Sequence, residues 1–549
     1  MRRFPRVLLA LVASLLLVAG LAWQPATADR RTPLKPKAPT KVVVIVVDAL
    51  SREIVEKYDM RHVQALMRTG ANAPNAYLGH LGAVTVVTHN VLTTGALPKN
   101  MGWTDEGYRD VDGVLASQAT KKGTKMWLTS NFGSAQMGPL QQHAGYPKLA
   151  DYLHAKRPGS TVVAISPKSY AGWGLAGGST DRMITFSGKT HDCDGGGVQW
   201  RGPGGLNPPA YLTEPACGRF YVDSDSNLVY DTNVSPAWMY GLDGNRYTVG
   251  HDTAHQGGDV WAADAAIATM KNEPKWSGVF VTLPGVDKAA HMWGSIDDPG
   301  GPDPMTHLKA SAEVADEQVG KIVGYLRSSG QLDDTIVVLT ADHGSVPGRH
   351  FHGVDAAGQG YYNWYYGTMQ NDEYKKPQKA LQPLVATGNL AMSYSDSMVR
   401  AWLKRRSPAK LKEAVGVMAG MPGVSAVWVR HGRHFDRASP VRWGRMPSRG
   451  ERQWFKAKAQ ELLDTTAAKY GADVIATLVD DTTYSVAGDH GGIQRRSQQI
   501  PIVFAGGGVG SRDLSGGVRS VDIMPTVLRA MQIRPTHRLD GRAYALPTR

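Results

Sequence analysis

Four short runs of the 549-residue chain are continuously rather than alternately apolar: residues 41–48, ending in Asp48, then 278–283, 335–340 and 500–504. A strand with one wet face alternates apolar and polar positions. An unbroken β-branched run suits a strand covered on both faces, as in a parallel sheet sheathed by helices. Between these runs, residues 260–271, 307–327 and 521–531 repeat apolar side chains at intervals of three and four, the helical spacing. Strand and helix alternate, so the pattern predicts an α/β fold, a central mostly parallel sheet with helices on both faces, built from residues 41–103, 259–350 and 481–549. Two stretches interrupt it. Residues 104–258 carry few long periodic runs and many Gly and Pro, which predicts a loop-rich cap. Residues 351–480 read helix, strand, helix (411–418, 424–429, 453–469), which predicts a small inserted α+β subdomain. No internal repeat occurs at solenoid periods.

The amino terminus stands apart from this pattern. Arg2, Arg3 and Arg6 precede an apolar run over 7–23 and the small-residue site Ala26-Thr27-Ala28, so residues 1–28 read as a cleavable secretory signal peptide and 29–40 as a Pro/Lys-rich linker. The alternative is an uncleaved anchor near the lower limit of spanning length. Beyond residue 28 no second long apolar stretch occurs, so an extracytoplasmic protein with no stable membrane anchor is expected. Length and 42% hydrophobic content exclude a disordered tail or a disulfide-stapled miniprotein. Lys and Arg number 61 against 48 Asp and Glu, a net charge of +13 that falls to +10 without Arg2, Arg3 and Arg6. That excess favours anionic partners in general, with no pattern for specific nucleic-acid binding. The two cysteines, Cys193 and Cys217, would close one loop by a disulfide in an oxidising compartment, the alternative being free thiols or metal ligands; neither lies in a Cys-x-x-Cys pair.

The chemistry gathers where the apolar runs end. Asp48 closes the first; Asp287 and His291 follow the second; Asp342-His343-Gly344 follows the third; His490-Gly491 precedes the fourth. In open α/β sheets ligands bind at the carboxyl ends of strands, so these scattered residues are expected to share one mouth. Asp287-x-x-x-His291 is an i, i+4 pair that puts both side chains on one face of a helical turn. Carboxylate oxygens with neutral imidazole nitrogens form a donor set for Zn²⁺ and similar divalent ions. Singly, each of these residues suits a cap or a turn equally well. Asp489-His490-Gly491 echoes the Asp342-His343-Gly344 triplet, and the joint pattern points to metal. Thr85 opens an expected helix that closes at Gly95, which places its hydroxyl at the positive end of a helix dipole; the competing reading is a simple N-cap. Beside a divalent cation such a hydroxyl can act as a nucleophile.

In this company the chain resembles the alkaline phosphatase superfamily, and within it the type I phosphodiesterase/nucleotide pyrophosphatase branch with its threonine-dependent phosphatase relatives. The resemblance rests on the stretch from Thr85 through Thr94-Gly95-Ala-Leu-Pro98, on Ser520-Val-Asp522 with Pro525-Thr526, and on Asp540-Gly541-Arg542. It implies that Asp287, His291 and His490 hold one ion, and that Asp48, Thr85, Asp342 and His343 hold the other, with Zn²⁺ the first choice for both. It further implies that Thr85 attacks phosphorus and forms a phospho-threonine that water then hydrolyses. Two ions about 4 Å apart stabilise the attacking and leaving oxygens of an in-line displacement.

Departures from the family pattern bear on the substrate. Thr88 stands where the family often has Asn contacting a phosphoryl oxygen, so that contact is shorter or lost. Ile165-Ser166-Pro167-Lys168-Ser169-Tyr170 is similar to the Ser-x-Lys-x-Arg segment of threonine-type monoesterases, with Lys168 retained and Tyr170 in place of Arg. Thr88, Lys168 and Tyr170 are therefore the expected substrate contacts. Lys168 could neutralise a dianionic monoester, but Tyr cannot copy the bidentate grip of Arg. The expected substrate is a small phosphate ester, nucleotides among the candidates. The expected activity is cleavage of phosphodiester or nucleotide pyrophosphate bonds, with phosphomonoesterase activity on the same site and a noncatalytic surface-binding protein as the rival readings. The aromatic run over 361–366 suits packing better than base stacking, and His350 and His352 suit surface or supporting positions. Sulfatase chemistry is disfavoured, because no Cys-x-Pro-x-Arg occupies the nucleophile segment.

Overall fold

The computed structural model describes residues 38–119, 123, 125–129, 132–187, 199–201, 209, 211–212, 258–296, 304–347, 365–367, 381–446, 448–479, 481–484 and 488–549. Residues 1–28 and most of the linker, Cys193, Cys217, His350, His352 and residues 361–364 lie outside them.

A nine-stranded, mostly parallel sheet forms the centre. In chain order its strands are β1 (Lys41–Val47), β2 (Ala71–Asn72), β3 (Thr161–Ser166), β4 (Arg182–Ser187), β5 (Gln199–Arg201), β6 (Trp276–Leu283), β7 (Thr335–Thr340), β8 (Ile502–Gly506) and β9 (Arg512–Asp513). Across the sheet they lie in the order β9-β2-β8-β7-β1-β6-β3-β4-β5. Central β1 pairs in parallel with β6 (Val44 opposite Phe280) and with β7 (Val44 opposite Val338), and Val42 to Val47 are at most 1% exposed. Its unbroken apolar run therefore has the covered environment it requires. The helices Asp259–Asn272, Gly285–Trp293 and Pro304–Ser328 pack on one another and on this sheet. No helix among the described residues is long and apolar enough to cross a membrane.

Two features differ from the sequence expectation. Residues 104–258 are not simply a cap, because they contribute β3, β4 and β5, with Val163 opposite Val279 and Ile165 opposite Val281. The run Thr161-Val-Val-Ala-Ile165 has the buried-strand character of the others, but it is short and sits among Gly- and Pro-rich segments, so periodicity alone hid it. The fourth apolar run, β8, is antiparallel to β7, with Ile502 opposite Thr340. The chain enters β8 from the edge where β7 ends, so a residue preceding β8 shares the mouth with residues following β7.

Residues within 351–480 build a separate antiparallel sheet, in the order Tyr365–Gly367, Leu390–Ser395, Met398–Leu403, Val474–Leu478, Val424–His431, His434–Arg437, with the helices Pro408–Gly420 and Arg449–Asp464. Its turn at Asp396 and Ser397 touches the core. Ser397 N donates to the His490 carbonyl at 3.1 Å, and the Asp396 carboxylate packs on Gly491, whose φ of +97° suits only glycine.

The helix Thr85–Thr94 is buried at every position, so it shows no amphipathic stripe. It ends at Gly95 (φ 61°), as expected. It lies tightly against the helix Ser169–Ala176: a Cβ on Gly174 would come 2.8 Å from His89 Cβ and 3.3 Å from the Val86 carbonyl. Buried Lys148 ties the same two helices, donating to Asn90, to Thr93 Oγ1 (2.9 Å) and to the Gly174 carbonyl (2.6 Å). Gly174→Ala should overpack this crossing and cost about 1–3 kcal/mol of stability. Urea unfolding measures it, and an unchanged midpoint would show that the two helices can part freely.

Candidate active site

Because β1, β6, β7 and β3 run in one direction, their carboxyl ends bring Asp48, Asp287, Asp342, His343 and Lys168 to one edge of the sheet. Asp48 extends β1, its N–H bonding the Leu283 carbonyl at 2.9 Å. The next residue, Ala49, takes a φ of 61°. This left-handed conformation costs an L-residue about 1–2 kcal/mol, and here it turns the Ala49 N–H onto Asp342 Oδ1 at 3.2 Å. Asp287 lies in the first turn of Gly285–Trp293, where a carboxylate is favoured by the helix dipole, and His291 follows one turn on with Nε2 3.3 Å from Asp287 Oδ1. His490 stacks on His343 with ring centroids 3.6 Å apart, so the two imidazoles join the halves of the site.

Three donor groups have their ligand atoms within 4.8 Å of one another: Asp287, His343 and His490; Asp48, Asp342 and His343; and His291, Asp489 and His490. All the metal ligands expected from sequence thus fall in one cluster, with Thr85 Oγ1 3.3 Å from His343 Nε2.

Burial disfavours Asp48 and Asp342 as anions, whereas His291 and Lys168 overcome burial and hold the Asp287 carboxyl well below its ordinary range. Asp48, Asp287 and Asp342 are at most 1% exposed. Two carboxylates 4.8 Å apart repel by about 3–4 kcal/mol at an effective dielectric of about 20, a large share of a typical net stability of about 5–15 kcal/mol. Burial, with Asp287 and Asp342 as further causes, drives the Asp48 carboxyl well above its ordinary range. Burial also pushes Asp342 up to about 6, against the pull of Lys168 and with repulsion from Asp287. Asp48 Oδ1, Asp287 Oδ1, Asp342 Oδ2 and His291 Nδ1 have no hydrogen-bond partner.

The histidines sharpen the point. His343 Nδ1 donates to the Gly344 carbonyl (3.1 Å) and His490 Nδ1 to the Ala83 carbonyl (3.1 Å). In the neutral rings Nε2 is then a lone pair, and burial holds both residues below their ordinary pKa. Those lone pairs face carboxylate oxygens, His343 Nε2 lying 3.3 Å from Asp48 Oδ1 and His490 Nε2 3.7 Å from Asp287 Oδ1. Imidazole lone pairs and carboxylate oxygens converging on one space form a donor set that suits divalent cations, and backbone carbonyls that fix imidazole tautomers are the usual support of metal-binding histidines.

Lys168 stands at the carboxyl end of β3, with Nζ 2.5 Å from Asp48 Oδ2 and also bonded to Asp287 Oδ2. Burial alone would lower its pKa, but Asp287 and Asp48 outweigh burial and hold it well above the ordinary value. Tyr170, two residues on, has its pKa raised by burial, so its hydroxyl stays protonated. Thr88 has no exposed surface, and its hydroxyl lies 3.5 Å from His80 Nε2.

Two further residues belong to the site. His89 Nδ1 donates to the Thr85 carbonyl (2.8 Å) and lies 3.5 Å from Asp342 Oδ2, while its Nε2 accepts from Thr282 Oγ1 (2.9 Å). Burial lowers its pKa to about 3, so it bridges as a neutral ring. Its i, i+4 spacing from Thr85 was the available signal. Asp489 joins His291 and His490; its signal was the repeated Asp-His-Gly triplet, from which only the histidine was singled out.

A family model for type I phosphodiesterase / nucleotide pyrophosphatase matches residues 42–389. The chain is 22% identical to the alkaline phosphatase PhoD of Zymomonas mobilis subsp. mobilis, over 94% of this chain and 90% of that protein. It is 21% identical to the alkaline phosphatase PhoK of a Sphingomonas species, over 92% and 91%. Wild-type alkaline phosphatase PafA has the same fold, with a TM-score of 0.61 at 14% identity over 90% of this chain and 96% of that one. Murine ectonucleotide pyrophosphatase / phosphodiesterase 5 has a TM-score of 0.51 at 10% identity over 91% and 97%. An inactive form of that mouse protein was solved in complex with AMP.

If cations offset the repulsion in this cluster, a strong chelator should lower the thermal unfolding temperature by several degrees, and added zinc should restore it. An identical melting curve with and without chelator would show that the carboxylates are balanced from within the chain.

Proposed function

Since this chain belongs to the type I phosphodiesterase / nucleotide pyrophosphatase family and is a metal-dependent hydrolase of phosphoric ester bonds, we propose that it is an exported two-metal phosphoesterase that cleaves phosphodiester or nucleotide pyrophosphate bonds through Thr85. The observation that carries the reading is the Thr85 hydroxyl, 2% exposed, beside the Asp48, Asp342 and His343 cluster at the amino end of its helix. Export is proposed from residues 1–28 alone.

Asp287, His291 and His490 would hold one ion, and Asp48, Thr85, Asp342 and His343 the other, with Zn²⁺ favoured by the mixed carboxylate and imidazole donors. Bound there, divalent ions would lower the pKa of the attacking hydroxyl and neutralise charge on the leaving oxygen. The residues of the chain do the positioning. The first intrahelical bond of the Thr85 helix runs from Thr88 N to the Val84 carbonyl (3.0 Å), so the amides ahead of it leave a partial positive charge where the phosphoryl group would sit. Thr85 Oγ1 would bond to phosphorus as the ester oxygen opposite departs, and water would then cleave the phospho-threonine. His89 holds the backbone of the nucleophile as a neutral donor. Lys168 would withdraw from the carboxylates to meet a phosphoryl oxygen, Tyr170 would add a hydroxyl donor, and Thr88 would join only by giving up His80.

Preference for diesters or pyrophosphates follows from Tyr170. A monoester carries one more negative charge, and the forked guanidinium that would grip it is missing. Nucleotides are the proposed substrates, in keeping with the family description and with the AMP bound by a relative of the same fold. A phosphomonoesterase is the second reading, favoured by the retained Lys168 and by the two curated relatives, both alkaline phosphatases.

Thr85→Ala should reduce turnover by roughly a thousandfold or more while leaving the metal content nearly unchanged; a retained rate would mean that water attacks directly. On an aryl nucleotide diester and an aryl phosphate monoester, kcat/KM should favour the diester, and Tyr170→Arg should move the ratio toward the monoester by roughly tenfold. A wild-type preference for the monoester would select the second reading, and an unmoved ratio would remove Tyr170 from the substrate site.

A further inference from the structure

We infer that Asp489 is a fourth protein ligand of the Asp287, His291 and His490 half-site, which then consists of two carboxylates and two imidazoles and would take a substrate oxygen only as a fifth donor. This rests on the reading that those three residues hold a divalent ion, and adds a donor to it.

The geometry around His490 carries the inference. Its Nδ1 donates to the Ala83 carbonyl, so Nε2 presents a lone pair. Two carboxylate oxygens approach that nitrogen almost equally, Asp287 Oδ1 at 3.7 Å and Asp489 Oδ1 at 3.8 Å, and ligand atoms of His291, Asp489 and His490 lie within 4.8 Å of one another. Asp489 and His490 are 6% and 8% exposed, so water does little to screen them. Arg400, the buried guanidinium of this region, is already engaged by Asp396 (2.5 Å) and Asp105 (3.2 Å). Three electron-rich atoms converging in a buried space call for a cation among them.

Two glycines hold the loop in this arrangement. Gly488, at a φ of +68°, passes so near the Ala290 carbonyl that a Cβ would lie 2.0 Å from its oxygen, which sets Asp489 beside His291. Gly491 packs on Asp396 as described above. The simpler role, a turn former, is also met, since Asp489 Oδ1 accepts from the His490 N–H at 2.8 Å. A turn alone does not require that the carboxylate also face Nε2.

The charge count favours the same assignment. The other half-site has two carboxylates, Asp48 and Asp342, enough to neutralise a divalent ion. With Asp287 alone the first would leave a net positive charge in a buried place; Asp489 gives each half two carboxylates and adds a hard oxygen donor.

Asp489→Asn separates the roles, because the amide oxygen can still accept from His490 N–H but carries no charge. Wild-type protein and the variant, each as full mature chains, are equilibrated in chelator-buffered zinc and their metal content is measured; cobalt-substituted samples give the visible absorption of the site. The expected result is one of two ions bound about 10–100-fold more weakly in the variant, with an altered cobalt spectrum. Equal affinity for both ions and an unchanged spectrum would overturn the inference. If D489N does not fold, Asp489→Ser, which keeps an oxygen acceptor for the same amide, is judged by the same two outcomes. Wild-type protein that takes up no divalent ion would instead overturn the underlying metal reading, and this inference with it.

Discussion

Mutual repulsion among buried carboxylates is the constraint on which the rest of the structure depends. Asp48, Asp287 and Asp342 come from the carboxyl ends of three adjacent parallel strands, and parallel pairing leaves them nowhere else to go. Lys168 supplies a single charge between Asp48 and Asp287, while the lone pairs of His343 and His490 add electron density rather than remove it. Such an arrangement costs the fold stability and leaves an edge whose donor atoms suit cations.

The supporting parts are rigid and mutually tied. The helix Thr85–Thr94 is buried on every side, crossed at Gly174, laced by Lys148 and held at its first turn by His89. The loop carrying His490 is pinned between the Asp287 helix and the turn at Asp396 of the second sheet. Elements far apart in sequence thus hold the donor atoms in place from several sides, the kind of positioning on which phosphoryl transfer depends.

Much of this was legible in the sequence, for a reason that can be stated. Strands covered on both faces advertise themselves by unbroken apolar runs, and residues following such strands converge by topology, so Asp48, Asp287, Asp342 and His343 could be grouped before any coordinates. Other parts left no such trace. The strand Thr161–Ser166 was short and embedded in Gly- and Pro-rich sequence, so its place beside β6 emerged only from the pairing. The antiparallel course of β8 depends on where the chain re-enters the sheet, which no local pattern encodes. The position of Thr88 three residues after Thr85 carries no sign of His80, a residue outside the motif, beside which its hydroxyl lies. Asp489 resembled a turn former because it is one; its second face toward His490 Nε2 exists only once the loop is folded.

The central claim is that cations, not the chain alone, balance this edge, and the most direct measurement is anomalous X-ray scattering from crystals of the mature protein at the zinc absorption edge. The account predicts two strong peaks, one bounded by Asp287, His291 and His490 and one by Asp48, Thr85, Asp342 and His343, with Lys168 Nζ withdrawn from between Asp48 and Asp287. Crystals equilibrated with zinc that show no peak there, with Lys168 still bridging the two carboxylates, would contradict it.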